Sequence, residues 1–169
     1  PVAARLTQEV AARVTSLQEL GGLAGRILMA AAAIYIVSRR RLVRLFQVPG
    51  LLVMPLAFAW AATSSLEALK PAAFLAGLLT TGQMSFWGNY LPRAYPIHLR
   101  GTGESFAANI GGRLLGTSFA WVTATLAVTP DRAYAPTKLA LAAAAVGFAA
   151  YAVNFAASFW LPEPADERD

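Results

Sequence analysis

The chain has 169 residues, 57% of them hydrophobic and 14% charged, with a mean hydropathy of +0.51; soluble domains are about 45–50% apolar and about 25% charged, so the composition points to a bilayer. The net charge of +5 does not imply a nucleic-acid partner, because the basic residues cluster between apolar runs as the positive-inside rule requires. The absence of cysteine excludes disulfides, thiol catalysis and thiolate metal sites.

Residues 1–19 are mixed. Ala3, Leu6, Val10, Val14 and Leu17 recur at helical spacing, with Arg5, Gln8, Glu9 and Arg13 between them. This predicts an amphipathic outer segment, with a structured loop as the plainer alternative. The chain starts at Pro1 without a secretory signal pattern, and a fragment is expected. Leu20–Val37 is the first predicted span, apolar except for Arg26, and it runs into Arg39, Arg40, Arg41 and Arg44. That run is the densest positive charge in the chain and places this end in the cytoplasm. Leu45–Thr63 returns outward, with a bend or loosening expected at Pro49–Gly50. Ser64–Lys70 is a short outer turn.

Pro71–Tyr90 is the third span, with Pro71 expected in its first turn and Gln83 and Asn89 as interior amides. A basic cytoplasmic loop follows, carrying Arg93, His98 and Arg100. Glu104–Val128 runs outward and contains Asn109 and Arg113. A turn-rich outer loop occupies Thr129–Pro136, and Thr137–Leu161 is the fifth span, ending in an aromatic belt of Phe159 and Trp160. Pro162–Asp169 is an acidic cytoplasmic tail. Each span has roughly 18–25 residues, enough for a hydrocarbon core of about 30 Å. The fold class expected is all-α, a polytopic bundle of about five transmembrane helices over residues 20–161.

Pro92–Arg93–Ala94–Tyr95–Pro96–Ile97–His98–Leu99–Arg100–Gly101–Thr102–Gly103 resembles the loop after the tenth helix of major facilitator superfamily transporters related to sugar and organic-acid carriers. Phe106, Asn109, Gly111 and Arg113 are similar to the start of the helix that follows it. Gly21–Arg26 and the arginine run resemble the eighth helix and its cytoplasmic loop, where Arg39 and Arg40 match the end of the family motif. The resemblance covers roughly Leu17 to Pro162. It implies helices eight to twelve of a twelve-helix secondary transporter, with substrate held between two six-helix halves. It also implies a missing N-terminal half of the same transporter as partner, and a multi-pass location in the inner or plasma membrane.

Arg113 lies about 14 Å into its predicted span, near the middle of a bilayer, so it must face protein or a water-filled path. It is either a binding group for an anionic solute such as a carboxylate or a structural arginine bonded to carbonyls or a partner carboxylate. Asn109 shares its face. Arg26 is a substrate or gate contact or, the favoured reading, an ion-pair partner of Glu19. Gln83 is the better pore candidate among the interior amides, whose common role is to hold helices together. Arg39, Arg40, Arg100 and Glu104 are candidate cytoplasmic gate residues. For Glu104 a favourable position in the first helical turn is explanation enough.

Gly21-x-x-x-Gly25 and Gly112-x-x-x-Gly116 predict close helix approach. A proton-coupled symporter needs a buried carboxylate or histidine; no Asp or Glu lies deep in a span, so that site is expected outside this chain. No metal cluster, cofactor motif or catalytic motif is recognised, and no enzyme is expected. The function expected is transport of a small organic solute, an anion by preference, through alternating access. The alternative is a small membrane scaffold or assembly partner.

Overall fold

Alanine, leucine and methionine are strong helix formers, and in the computed structural model every regular element among the described residues is helical. The structure describes residues 2–128 and 135–163, leaving aside the side chains of 2–6, Asn89, Pro92 and Ala135. Most of the expected outer loop (129–134), the tail from 164 onward, the side chains of Ala3, Arg5 and Leu6, and the Asn89 amide lie outside the described residues.

Helix α1 (Val2–Tyr35) is a single element of 34 residues, so the expected boundary near residue 19 is absent. The glycine pair at that point weakens intrinsic helix propensity, but tertiary packing overrides it. A Cβ at Gly21 would collide with the Phe74 carbonyl, and one at Gly25 with the Leu78 carbonyl. At 1.5 Å per residue α1 is about 51 Å long, well beyond a hydrocarbon core of about 30 Å.

Helix α2 (Arg39–Leu56) opens at Ser38, whose side chain accepts from the Arg41 N–H. It continues through a π-helical turn (Ala57–Ala61) to Ser64. The arginine run is therefore not a loop but the first two turns of a helix. The chain stays α-helical through Pro49, and the widening comes after Pro55 instead. There the Ala62 N–H reaches back five residues to the Ala57 carbonyl, a local adjustment that lets a helix carry proline.

Helix α3 (Leu66–Thr80) starts five residues before Pro71, because Ser65 caps it by accepting from the Ala68 N–H at 3.2 Å. Glu67 supports that first turn and pairs with Lys70 at 2.7 Å. Pro71 is thus interior. A 3-10 turn (Thr81–Gln83) leads to α4 (Met84–Ala94). The basic loop shrinks to a short connection around Tyr95–Leu99, ending in a 3-10 turn (Ile97–Leu99). Then come α5 (Arg100–Phe106), a π-helical stretch (Ala107–Leu114) and α6 (Leu115–Leu126), following one another without a loop. Helix α7 (Ala135–Ala157) closes the described chain.

The core lies where α1, α2, α3 and α4 meet, with Met29, Leu42, Val43, Phe46, Leu79, Phe86 and Tyr90 buried together. Helix α1 runs parallel to α3, with Gly21, Gly25, Gly77 and Gly82 along the seam; a Cβ at Gly77 would strike the Gln18 carbonyl. Helix α7 lies antiparallel on α2, and α6 packs on α7. Among the described residues three helices, Thr7–Tyr35, Arg39–Ser64 and Pro136–Ala157, are long and apolar enough to cross a membrane. The rods α3–α4 and α5–α6 are interrupted by the 3-10 turn and the π-helical stretch.

Candidate functional site

Two features carry chemistry, a polar seam inside the bundle and an open arginine face outside it. In the seam, Arg40, Arg44, Gln47 and Gly50 recur at three- to four-residue spacing, so they share one face of α2. They meet Leu161, Ser158, Asn154 and Tyr151 in reverse order along α7 and the turn after it. Arg40 Nε donates to the Leu161 carbonyl at 2.6 Å. Arg44 Nε donates to Ser158 Oγ at 2.8 Å and its Nη2 to the Ser158 carbonyl at 3.2 Å, while its guanidinium lies 3.9 Å from the Phe159 ring centroid. Gln47 Nε2 reaches the Asn154 carbonyl at 3.5 Å.

The Tyr151 ring fills the space that a Cβ at Gly50 would need. Deeper still, the buried Gln83 donates Nε2 to the Leu79 carbonyl at 2.7 Å and approaches the Tyr151 hydroxyl at 3.5 Å. Gln47 is 1% exposed, and among the described residues its Oε1 has no hydrogen-bond partner.

The seam ends in a clasp. Glu163 Oε1 accepts from Ser38 Oγ at 2.8 Å and from the Arg40 N–H at 3.1 Å, and Oε2 accepts from the Arg39 N–H at 2.9 Å. A carboxylate thus caps the free N–H groups of α2 and complements its dipole. Burial pushes the Glu163 carboxyl up, but the Arg40 N–H, the Ser38 hydroxyl, the Arg39 N–H and the Arg40 charge together hold it below the ordinary carboxylate range. Tyr90 donates to the Pro162 carbonyl at 2.8 Å. The end of α4, the start of α2 and the segment after α7 are therefore tied at one end of the bundle.

The second feature is the rod α5–α6. Asn109 and every residue from Arg113 to Trp121 are exposed. Asn109 Nδ2 donates to the Ser105 carbonyl of its own helix at 2.9 Å. Among the described residues the Arg113 guanidinium has no hydrogen-bond or ion-pair partner. Gly112 and Gly116 face open space, so the close approach expected there is not made among the described residues. Arg113 sits in the π-helical stretch, halfway between Arg100 and Leu126; wide turns of this kind occur often at functional sites.

The candidate residues therefore fall in separate places. Arg113 and Asn109 share the open face. Gln83 lies in the core, and Arg26 on the exposed side of α1, without an ion pair to Glu19. Arg39 and Arg40 are in the clasp. Arg100 makes a 3.5 Å contact from Nε to the Tyr95 carbonyl, and Glu104 lies in the short helix α5 after it.

Sequence reasoning missed Arg44, Gln47, Tyr151 and Glu163. The signal available was the spacing of Arg40, Arg44 and Gln47, which a loop assignment for the arginines concealed. No protein-family model matches the chain, and no curated protein or solved structure matches it either.

Proposed function

We propose that this chain is part of a secondary active transporter of the major facilitator type, in which five helical rods span the inner or plasma membrane and Arg113 binds a small organic anion. The observation that carries the reading is the position of Arg113. It is exposed and, among the described residues, unpartnered, and about 20 Å of helix separates it from either end of its rod. In a bilayer, an arginine left against lipid at that depth costs about 2.5–3.5 kcal/mol or more. A water-filled path shared with the other half of the transporter removes that cost. It also leaves the guanidinium and the Asn109 amide for a carboxylate. The sequence around Arg100–Gly101–Thr102–Gly103 supports the same reading, and the clasp of Glu163 on α2 suits a cytoplasmic end that is fastened and released during alternating access.

The test is uptake of small carboxylates by cells making the transporter that contains this chain. A charge-assisted hydrogen bond contributes about 1.5–3 kcal/mol, so Arg113→Gln is expected to lower uptake about ten- to hundredfold at an unchanged membrane level. Normal uptake by that variant refutes the role. The exposed Phe106, Leu114 and Trp121 on the same rod favour a second reading, a membrane scaffold in which a partner helix covers this face. In that case Arg113→Gln lowers recovery of the assembled complex and no solute moves.

A further inference from the structure

Between α1, the first turn of α2 and α4 lies a cavity of about 160 Å³. A single water needs only about 10–15 Å³ of such space, so the cavity admits a group of several heavy atoms. Met29, Ala33, Leu42 and Phe86 form its apolar wall, the Ser85 and Tyr90 hydroxyls belong to the same lining, and Arg39 is its one charged group. Among the described residues neither the Arg39 guanidinium nor the Ser85 hydroxyl has a hydrogen-bond or ion-pair partner. The neighbouring arginines differ. Arg40 and Arg44 are engaged with the segment after α7, and Arg41 is exposed and does not line the cavity. Glu163 already takes the backbone N–H groups at the start of α2. What remains for a ligand is therefore the Arg39 side chain.

The order of these groups along the bundle selects the ligand. Arg39 is the first residue of α2, at the helix ends, whereas Met29 lies six residues before the end of α1, about 9 Å deeper. A cation thus sits at the mouth and a hydrocarbon wall below it. A soluble anion would use the mouth and leave the wall dry. A molecule with an anionic head and an acyl chain uses both, and the negative surface of a cytoplasmic leaflet is drawn to basic residues at about 1 kcal/mol each.

We propose that this cavity binds one anionic phospholipid, with its phosphate on Arg39 and its first methylenes against Met29, Leu42 and Phe86. The site rests on the membrane reading above and not on transport. A bound lipid joins α1 to α2 and α4 at the end where Glu163 and Tyr90 make the clasp.

The experiment is native mass spectrometry of the full protein that contains this chain, released from nanodiscs of phosphatidylcholine containing one part in ten phosphatidylglycerol. The expected result is one retained phosphatidylglycerol, enriched at least fivefold over its share of the bilayer. Arg39→Gln and the cavity-filling Ala33→Leu each remove that enrichment, and Arg41→Gln keeps it. Equal losses for Arg39→Gln and Arg41→Gln overturn the site in favour of general attraction to a basic surface. Displacement of the lipid by millimolar inorganic phosphate overturns it in favour of a small soluble anion. A protein that inserts but retains no lipid overturns the site alone, and a full protein that does not insert refutes the membrane reading and the site together.

Discussion

Replacing Gln47 by methionine is expected to stabilise the bundle. Gln47 is 1% exposed and its Oε1 has no donor among the described residues; an orphaned buried acceptor costs about 1–3 kcal/mol. The bond lost in exchange is weak, since Gln47 Nε2 reaches the Asn154 carbonyl only at 3.5 Å, the edge of hydrogen-bond geometry. That carbonyl keeps its bond from the Ser158 N–H at 3.0 Å, so no new orphan is created. Methionine follows the same path as glutamine at similar volume, which limits packing loss. The net gain is about 1 kcal/mol or more, or a rise in Tm of about 2–4 °C for a chain of this size. Thermal unfolding in detergent micelles, followed by far-ultraviolet circular dichroism, reads the shift. Gln47→Glu serves as the opposite control, because it places an uncompensated charge in the core. A fall in Tm of more than about 2 °C for Gln47→Met refutes the reasoning and assigns Oε1 a donor, such as a bound water between α2 and α7.

The clasp makes stability depend on pH. Because the Glu163 carboxyl is held below its ordinary value of 4.5, its contribution is present above that pH and is lost as pH falls below it through the folded-state value. The Tm difference between the natural chain and Glu163→Gln is therefore expected to be positive at pH 7 and to shrink toward zero under acid; a constant difference refutes the clasp. The glycines give predictions of opposite sign. Gly116→Ala meets open space and gains up to about 1 kcal/mol from helix propensity. Gly25→Ala gains the same propensity, but its Cβ strikes the Leu78 carbonyl and lies 2.9 Å from Gly82 Cα. The expected net loss is about 1–3 kcal/mol, read as a drop in Tm, and equal shifts for the two variants refute the α1–α3 seam.

Composition alone determined that the chain is helical and apolar enough for a membrane, because alanine- and leucine-rich runs form helices whatever surrounds them. The motif Gly21-x-x-x-Gly25 announced its close contact, since small residues at one-turn spacing leave a groove for a second backbone. Helix ends were harder to read. The arginines at 39–44 look like a loop by charge, and the Ser38 and Ser65 caps are weak local signals beside the prolines at 49 and 71. Only the tertiary structure decided that Arg40, Arg44 and Gln47 face α7, that Glu163 returns to cap α2, and that Arg113 meets no partner among the described residues. Those pairings join residues more than a hundred positions apart. A local pattern specifies a helix and its faces, but which face meets which neighbour is set by how the rods pack.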